Sequence, residues 1–166
     1  MSGVGAPQSI LAAGAAAGLR VVVVSASWHA EITVGLRGGA VRALQRAGVT
    51  DIRTIEVPGC FELPVAASRV ATADPELDAI VALGLVLRGQ TPHFDYVCMA
   101  ATTGLTEVSV RSGIPIGFGV LTCDSVGQAM DRAGLPGSRE DKGGEAVDAA
   151  LATALALRAV RAVRAG

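Results

Sequence analysis

Polar and aromatic residues are concentrated at four places in the sequence, each directly after a run of aliphatic residues. These places are residues 27–29, 59–62, 88–95 and 122–124. Together they hold both histidines and the only tryptophan. Imidazole can transfer protons near neutral pH, and an indole can stack on a flat ring. We therefore expect a site for proton-transfer chemistry on a heterocyclic ligand.

The segment at residues 88–95 is the most informative. Gly89 permits close approach of the backbone to a ligand. The N–H groups of Gln90 and Thr91 would lie at a helix N-terminus, where anions bind. His93 would lie in the first helical turn, whose positive end favours a neutral imidazole that can accept a proton. The alternatives are a capped helix without a ligand and a surface histidine without a role. The segment contains neither a GxxxxGK[ST] nor a GxGxxG motif.

Other candidate residues each allow two interpretations. Trp28 either stacks on a ligand or belongs to the core. Glu62 either accepts hydrogen bonds from a ligand or is an acid favoured at a helix start. Cys60 has no identifiable histidine partner, so we expect a small apolar filler rather than a nucleophile. Arg132 and Lys142 either reach an anion or remain solvated.

The order of predicted elements determines where these residues meet. Strands are predicted at 19–27, 51–57, 79–87 and 114–122, and helices at 29–47, 61–72, 91–111, 125–133 and 142–164. This alternation predicts an α/β fold, a three-layer α/β/α sandwich around a four-stranded parallel sheet. Ligands of such sheets bind beyond the carboxyl ends of the strands, so the four polar segments would share one edge.

Composition excludes several classes of protein. The 166 residues suit a single domain at 19–166, preceded by a flexible Gly/Ala-rich arm at 1–18. With 14 Lys and Arg against 15 Asp and Glu, the chain lacks the basic excess typical of nucleic-acid-binding proteins. We expect no membrane span and no signal peptide. Three cysteines without CxxC spacing favour a reducing cytoplasm over a disulfide framework or a metal site.

Five segments resemble the 6,7-dimethyl-8-ribityllumazine synthase family. The most specific is GLVLRGQTPHFDYV at residues 84–97. Further family motifs are similar to VPGCFELP at 57–64, PIGFGVLT at 115–122, QAMDRAG at 128–134 and DKGGEA at 141–146. The similarity covers about residues 19–160, with the motifs in the family's order.

The resemblance implies a flavodoxin-like fold and the penultimate reaction of riboflavin biosynthesis. In that reaction 5-amino-6-(D-ribitylamino)uracil condenses with 3,4-dihydroxy-2-butanone 4-phosphate, and phosphate and water are released. The family needs no metal and no other cofactor.

The resemblance also assigns roles to residues of the uracil site. Trp28 would stack on the pyrimidine, and His93 would shuttle protons. The ribityl chain would be lined by Cys60, Phe61 and Glu62, with Glu62 as hydrogen-bond acceptor. Backbone groups for the pyrimidine would come from Leu85, Val86 and Leu87.

The phosphate site and the subunit contacts are implied in the same way. The phosphate would be held by the Gln90 and Thr91 amides together with Arg132. Phe118 would arrive from the neighbouring subunit, and Lys142 would lie near the site.

The family implies a homo-oligomer whose sites are shared between subunits. The segment at 134–141 differs from the Gly/Lys/Asn-rich version in shell-forming relatives, which favours a pentamer over a decamer or a sixty-subunit shell. The arm at 1–18 would add a strand to the neighbouring sheet, although its composition gives a poor β propensity. Two other functions stay open, a flavin- or lumazine-binding carrier and a shell-forming compartment protein.

Overall fold

A computed structural model describes residues 11–163, with side chains as far as residue 160. Within these residues strands and helices alternate along the chain. The strands are β1 (Arg20–Ala26), β2 (Asp51–Val57), β3 (Ala79–Leu87) and β4 (Ile116–Cys123). The helices are α1 (Ala30–Arg46), α2 (Leu63–Ala73), α3 (His93–Ser112), α4 (Val126–Met130) and α5 (Lys142–Val163), and a 3₁₀ turn (Cys60–Glu62) precedes α2.

The strands form one sheet in the order β2-β1-β3-β4, with every neighbouring pair parallel. At the carboxyl end, Ala26 lies opposite Val57 in the β1–β2 pair. In the β3–β4 pair, Leu87 lies opposite Cys123. The four segments that follow the strands therefore begin along one edge of the sheet, as predicted.

Two apolar clusters cover the two faces of the sheet. Val21 and Val23 of β1 point into the cluster formed with α1 and α5. Val22 and Val24 point into the cluster formed with α2 and α3. This alternation is the period-two geometry of a strand, and aliphatic residues on both faces are required because both are covered. The predicted three-layer α/β/α sandwich is confirmed.

The start of β4 differs from the sequence prediction. β4 pairs with β3 from Ile116 onward, two residues later than expected. Pro115 has no N–H group to donate to the ladder, although its carbonyl accepts a hydrogen bond from the Ile80 N–H at 3.0 Å.

The starts of α3 and α4 are defined by different local contacts. α3 begins at His93, two residues later than predicted, and no side-chain hydrogen bond caps it. α4 is capped by the Ser125 hydroxyl, which accepts from the Gln128 N–H at 3.3 Å. The Gln128 side chain accepts from the N–H of Asp124, the residue before the cap, at 2.9 Å.

The described part of the predicted arm packs on the domain. The Gly14 N–H donates to the Arg46 carbonyl at 3.1 Å, and the Ala16 N–H donates to the Ala47 carbonyl at 2.9 Å. Ala16 is fully buried, because its small side chain fits closely against the end of α1. Residues 1–10 lie outside the described part of the chain. None of the described helices is long and apolar enough to cross a membrane.

Candidate active site

A cavity of about 510 Å³, here called the main cavity, lies beyond the carboxyl ends of β1, β2 and β3. It brings together side chains from three of the four polar segments. Its lining consists of Trp28, His29, Pro58, Gly59, Cys60, Phe61, Glu62, Leu85, Val86, Leu87, His93 and Val97. The structure therefore gathers around one space the residues that the resemblance assigns to the uracil site.

The turn after β1 is anchored to the end of β2. The Ser27 hydroxyl lies 2.9 Å from Glu56 Oε1 and 3.0 Å from the Val57 carbonyl. The Ser27 hydrogen bond, together with Arg37, lowers the pKa of Glu56, which favours its charged form. Trp28 extends from this anchored turn with 68 % of its surface exposed. The core alternative for Trp28 is therefore excluded within this chain, and its ring is open to a ligand.

The segment after β2 places Glu62 on the wall of the main cavity. The Gly59 N–H donates to Glu62 Oε2 at 2.9 Å, so this carboxylate also closes the 3₁₀ turn. The helix-start interpretation of Glu62 is therefore confirmed, and its hydrogen bond to a ligand stays a prediction. Cys60 is buried, and this burial raises its pKa to about 12. The thiol stays protonated and is a poor nucleophile, as expected for a small filler.

The end of β3 and the start of α3 close the opposite wall. Leu85 and Val86 are buried, and Leu87 is half-buried. His93 is exposed at the first position of α3. Its imidazole makes no hydrogen bond or ion pair with any residue that the structure describes, so both ring nitrogens are available to a ligand.

The turn between β3 and α3 carries two unused backbone donors. Gln90 and Thr91 are exposed and lie outside the lining of the main cavity. Their N–H groups donate to no residue within the described chain. They immediately precede the N-terminus of α3, where the helix dipole favours an anion. This arrangement fits a phosphate group.

Arg88 fixes both ends of this turn, a role that the sequence analysis did not assign. Its Nε lies 2.7 Å from Asp124 Oδ1, and its Nη1 lies 3.4 Å from Asp95 Oδ1. The guanidinium also lies 4.0 Å from the centroid of the Phe94 ring. The hydrogen bond to Asp124 raises the Arg88 pKa, so the charge is permanent. The signal in the sequence was that acidic residues follow both neighbouring strands, Asp95 in the segment after β3 and Asp124 directly after β4.

A second cavity of about 560 Å³ follows the outer edge of β4 and is here called the β4 cavity. Phe118, Arg132 and Lys142 line it. The Arg132 Nη1 donates to the Gln128 carbonyl at 2.8 Å. Within one chain, Arg132 and Lys142 therefore line a different cavity from His93. Gln90 and Thr91 line neither of these two cavities, so the expectation that they hold one phosphate with Arg132 stays a prediction.

Lys142 is held between two carboxylates in the β4 cavity. Its Nζ lies 2.6 Å from Glu140 Oε2 and 2.7 Å from Glu145 Oε2. Burial lowers the Lys142 pKa, but the hydrogen bonds to Glu140 and Glu145 outweigh it, so the net pKa is raised. Lys142 is therefore a fixed positive charge and not a proton acceptor.

A further cavity of about 690 Å³ lies between α2 and α3 and is lined by none of the predicted site residues. Phe118 also lines a smaller cavity between α3 and β4. Among the described residues, no three His, Cys, Asp or Glu side chains are grouped as ligands of a metal ion.

Comparison with known proteins gives a consistent result. The model of the family described as 6,7-dimethyl-8-ribityllumazine synthase matches residues 18–158. A protein of that name from Pseudarthrobacter chlorophenolicus is 60 % identical over 161 residues, covering 95 % of this chain and 98 % of the relative. One from Kineococcus radiotolerans is 61 % identical over 160 residues, covering 96 % of each. One from Streptomyces avermitilis is 56 % identical over 160 residues, covering 96 % and 97 %.

Proposed function

Because the chain belongs to the 6,7-dimethyl-8-ribityllumazine synthase family, we propose that it catalyses the family's reaction in riboflavin biosynthesis. It is a transferase that condenses 5-amino-6-(D-ribitylamino)uracil with 3,4-dihydroxy-2-butanone 4-phosphate and releases phosphate and water. The observation that carries this assignment to the site is the lining of the main cavity. Trp28, Glu62 and His93 follow three different strands and still border one space.

The main cavity is the uracil site. The exposed indole of Trp28 stacks on the pyrimidine, and backbone groups of Leu85–Leu87 bind its edge. The ribityl chain runs along Cys60, Phe61 and Glu62. The second oxygen of Glu62 is the acceptor for a ribityl hydroxyl, since the first is occupied by the Gly59 N–H. The neutral Cys60 thiol fills space beneath the chain.

His93 moves protons in the successive steps. The uracil amine forms an imine with the ketone, phosphate leaves, and ring closure expels water. Each step transfers a proton, and the imidazole of His93, at the first position of α3, serves each in turn. Holding the two substrates together supplies much of the acceleration, so the reaction does not depend on His93 alone.

The phosphate is bound where two subunits meet. The free N–H groups of Gln90 and Thr91 supply donors beside the main cavity of one subunit. Arg132 and Phe118, which line the β4 cavity, come from the neighbouring subunit, and Lys142 lies close by. This arrangement provides the cation that the main cavity lacks within a single chain.

The assembly is a homo-oligomer, with the pentamer favoured. α3 carries an exposed stripe at intervals of three and four residues: Tyr96, Met99, Thr103, Thr106 and Val110. Tyr96 is 69 % and Val110 is 78 % exposed, and this spacing is typical of helices that pack against copies of themselves. Contact between the main cavity of one subunit and the β4 cavity of the next is head-to-tail, which closes into a ring.

β2 is an edge strand, and its free side pairs with a strand from the neighbouring subunit's N-terminal arm.

The location of the protein is the cytoplasm. The described cysteines, Cys60, Cys98 and Cys123, are all free thiols, which supports this location.

The decisive experiment is to mix both substrates with the purified protein and to follow the absorbance of the lumazine. We expect product formation by the wild type, and slower but measurable formation by His93→Ala. A carrier would bind the lumazine without forming it. An absence of product from folded wild-type protein would therefore overturn the proposed function.

A further inference from the structure

His29 has an unusual backbone conformation beside the main cavity. Its φ is 59° and its ψ is 59°, and it is the only non-glycine residue with a positive φ in the described part of the chain. The left-handed region brings Cβ close to the following carbonyl, so only a few per cent of non-glycine residues adopt it, most often Asn, Asp and His. Such strain is typical of residues held in place for function.

The fold itself does not require an imidazole at this position. The His29 carbonyl accepts from the Ile32 N–H at 2.9 Å and from the Thr33 N–H at 3.1 Å, which begins α1. Any residue, including glycine, could supply that carbonyl. The His29 side chain makes no capping hydrogen bond, and it pairs with no residue within the described chain. It is exposed and lines the main cavity.

The surroundings of His29 indicate which part of a ligand it meets. His29 follows β1, next to the segment after β2 that carries Gly59 and Glu62. A Cβ built on Gly59 would lie 3.2 Å from Glu62 Oε2 and 3.9 Å from Trp28 Cδ1, so these groups form one wall. The phosphate-binding turn lies beyond β3, on the other side of the cavity.

We propose that His29 is a second histidine of the site and binds the polyhydroxylated side chain of the uracil substrate. One imidazole nitrogen donates and the other accepts, which matches hydroxyl groups that do both. His29 thereby contributes to specificity for a ribityl chain over an alkyl chain. The inference rests on the proposed function, since it takes the uracil as the occupant of the main cavity.

The test uses two analogues in which a nitro group replaces the 5-amino group, so that condensation is blocked. One carries the ribityl chain, and the other carries an unsubstituted pentyl chain. We expect His29→Ala to weaken binding of the ribityl analogue about five- to tenfold, and to weaken binding of the pentyl analogue by less than about twofold. His29→Asn, whose amide both donates and accepts and which tolerates a positive φ, should restore part of the loss.

The controls separate a binding role from a structural one. Glu31→Gln, in the same helix turn but outside the cavity lining, should leave both affinities unchanged. His29→Gly should be more stable to denaturant than His29→Ala, since it relieves the backbone strain. Equal weakening of both analogues by His29→Ala, or no weakening, would overturn the proposal. Wild-type protein that binds neither analogue would instead overturn the proposed function itself.

Discussion

The guanidinium of Arg88 lies 2.7 Å from the carboxylate of Asp124 and joins the end of β3 to the end of β4. The same guanidinium reaches Asp95 and the Phe94 ring in the first turn of α3. The turn that presents the Gln90 and Thr91 N–H groups is thus fixed at both ends by one side chain. If this turn binds the phosphate as proposed, Arg88 is a positioning residue, because its own charge is already shared by two carboxylates.

Replacing Arg88 with Lys should therefore impair the phosphate substrate selectively. Lysine keeps the charge but cannot bind two carboxylates and stack on Phe94 at the same time. We expect the KM for 3,4-dihydroxy-2-butanone 4-phosphate to rise about three- to tenfold, with a smaller change in the KM for the uracil. Steady-state kinetics with each substrate varied in turn measures both values.

Arg111→Lys is the matched control, since Arg111 forms an exposed ion pair with Glu107 far along α3. An equal rise in both KM values would contradict the positioning role.

The separation of His93 from Arg132 predicts complementation between variants. His93→Ala and Arg132→Ala should each be impaired, the second mainly in binding the phosphate substrate. If each site combines the main cavity of one subunit with the β4 cavity of the next, random co-assembly of the two variants restores about one quarter of the sites.

This complementation is measured by unfolding the two variants together, refolding them and assaying lumazine formation. In the control, each variant is refolded separately and the two are mixed afterwards. If subunits exchange slowly between assemblies, the activity of this mixture should not exceed the average of the parents. Activity of the co-refolded mixture that does not exceed the average of the parents would exclude shared sites.

The convergence of three polar segments on the main cavity was predictable because it depends on topology alone. Residues after parallel strands must meet at one edge, so Trp28, Glu62 and His93 border the main cavity without any local signal linking them. The bounds of β3 were predicted at Ala79–Leu87 because a continuous aliphatic run is typical of a central strand.

Other features depend on contacts that sequence spacing does not specify. Arg132 and Lys142 lie together at the β4 cavity because the chain returns after the loop, so that the Lys142 N–H donates to the Arg132 carbonyl at 3.0 Å. The left-handed φ of His29 had no signal, since the surrounding residues contain no glycine. Ala16 is buried by contacts with the end of α1, which the composition of the arm did not predict.

Asp74 should make stability dependent on acidic pH. Its Oδ2 accepts from Arg20 Nη2 at 2.8 Å and from Arg53 Nη2 at 2.6 Å, joining β1 and β2 to the end of α2. The hydrogen bond from Arg53 lowers the Asp74 pKa below its ordinary 3.8, although burial opposes it. The folded state thus favours the carboxylate. This stabilisation is present above about pH 4 and is lost as the pH falls through the depressed pKa.

The measurement compares the unfolding free energy of wild type and Asp74→Asn between pH 7 and pH 2.5. The difference in unfolding free energy should be largest near neutrality. It should shrink below about pH 4, as the pH falls toward the depressed pKa of the wild-type carboxylate. Glu31→Gln removes a carboxylate that pairs with no described residue, so its difference should stay nearly constant. A difference for Asp74→Asn that grows on acidification would show that the sign is wrong.

Gly84 and Cys60 should be energetically coupled, because β3 and the 3₁₀ turn pack closely beneath the main cavity. A Cβ on Gly84 would lie 2.6 Å from Cys60 Sγ and 3.1 Å from the Ala26 Cβ. Gly84→Ala should therefore cost about 1–3 kcal/mol of unfolding free energy through overpacking. Cys60→Ala removes the sulfur that blocks the new methyl group, so the double variant should lose less stability than the sum of the single variants.

Denaturant titration of the wild type, the two single variants and the double variant measures this coupling energy. Gly89→Ala is the control, since a Cβ there would meet nothing within 4 Å. Additive losses would mean that the backbone around Ala26, and not the Cys60 thiol, sets the limit on space at this position.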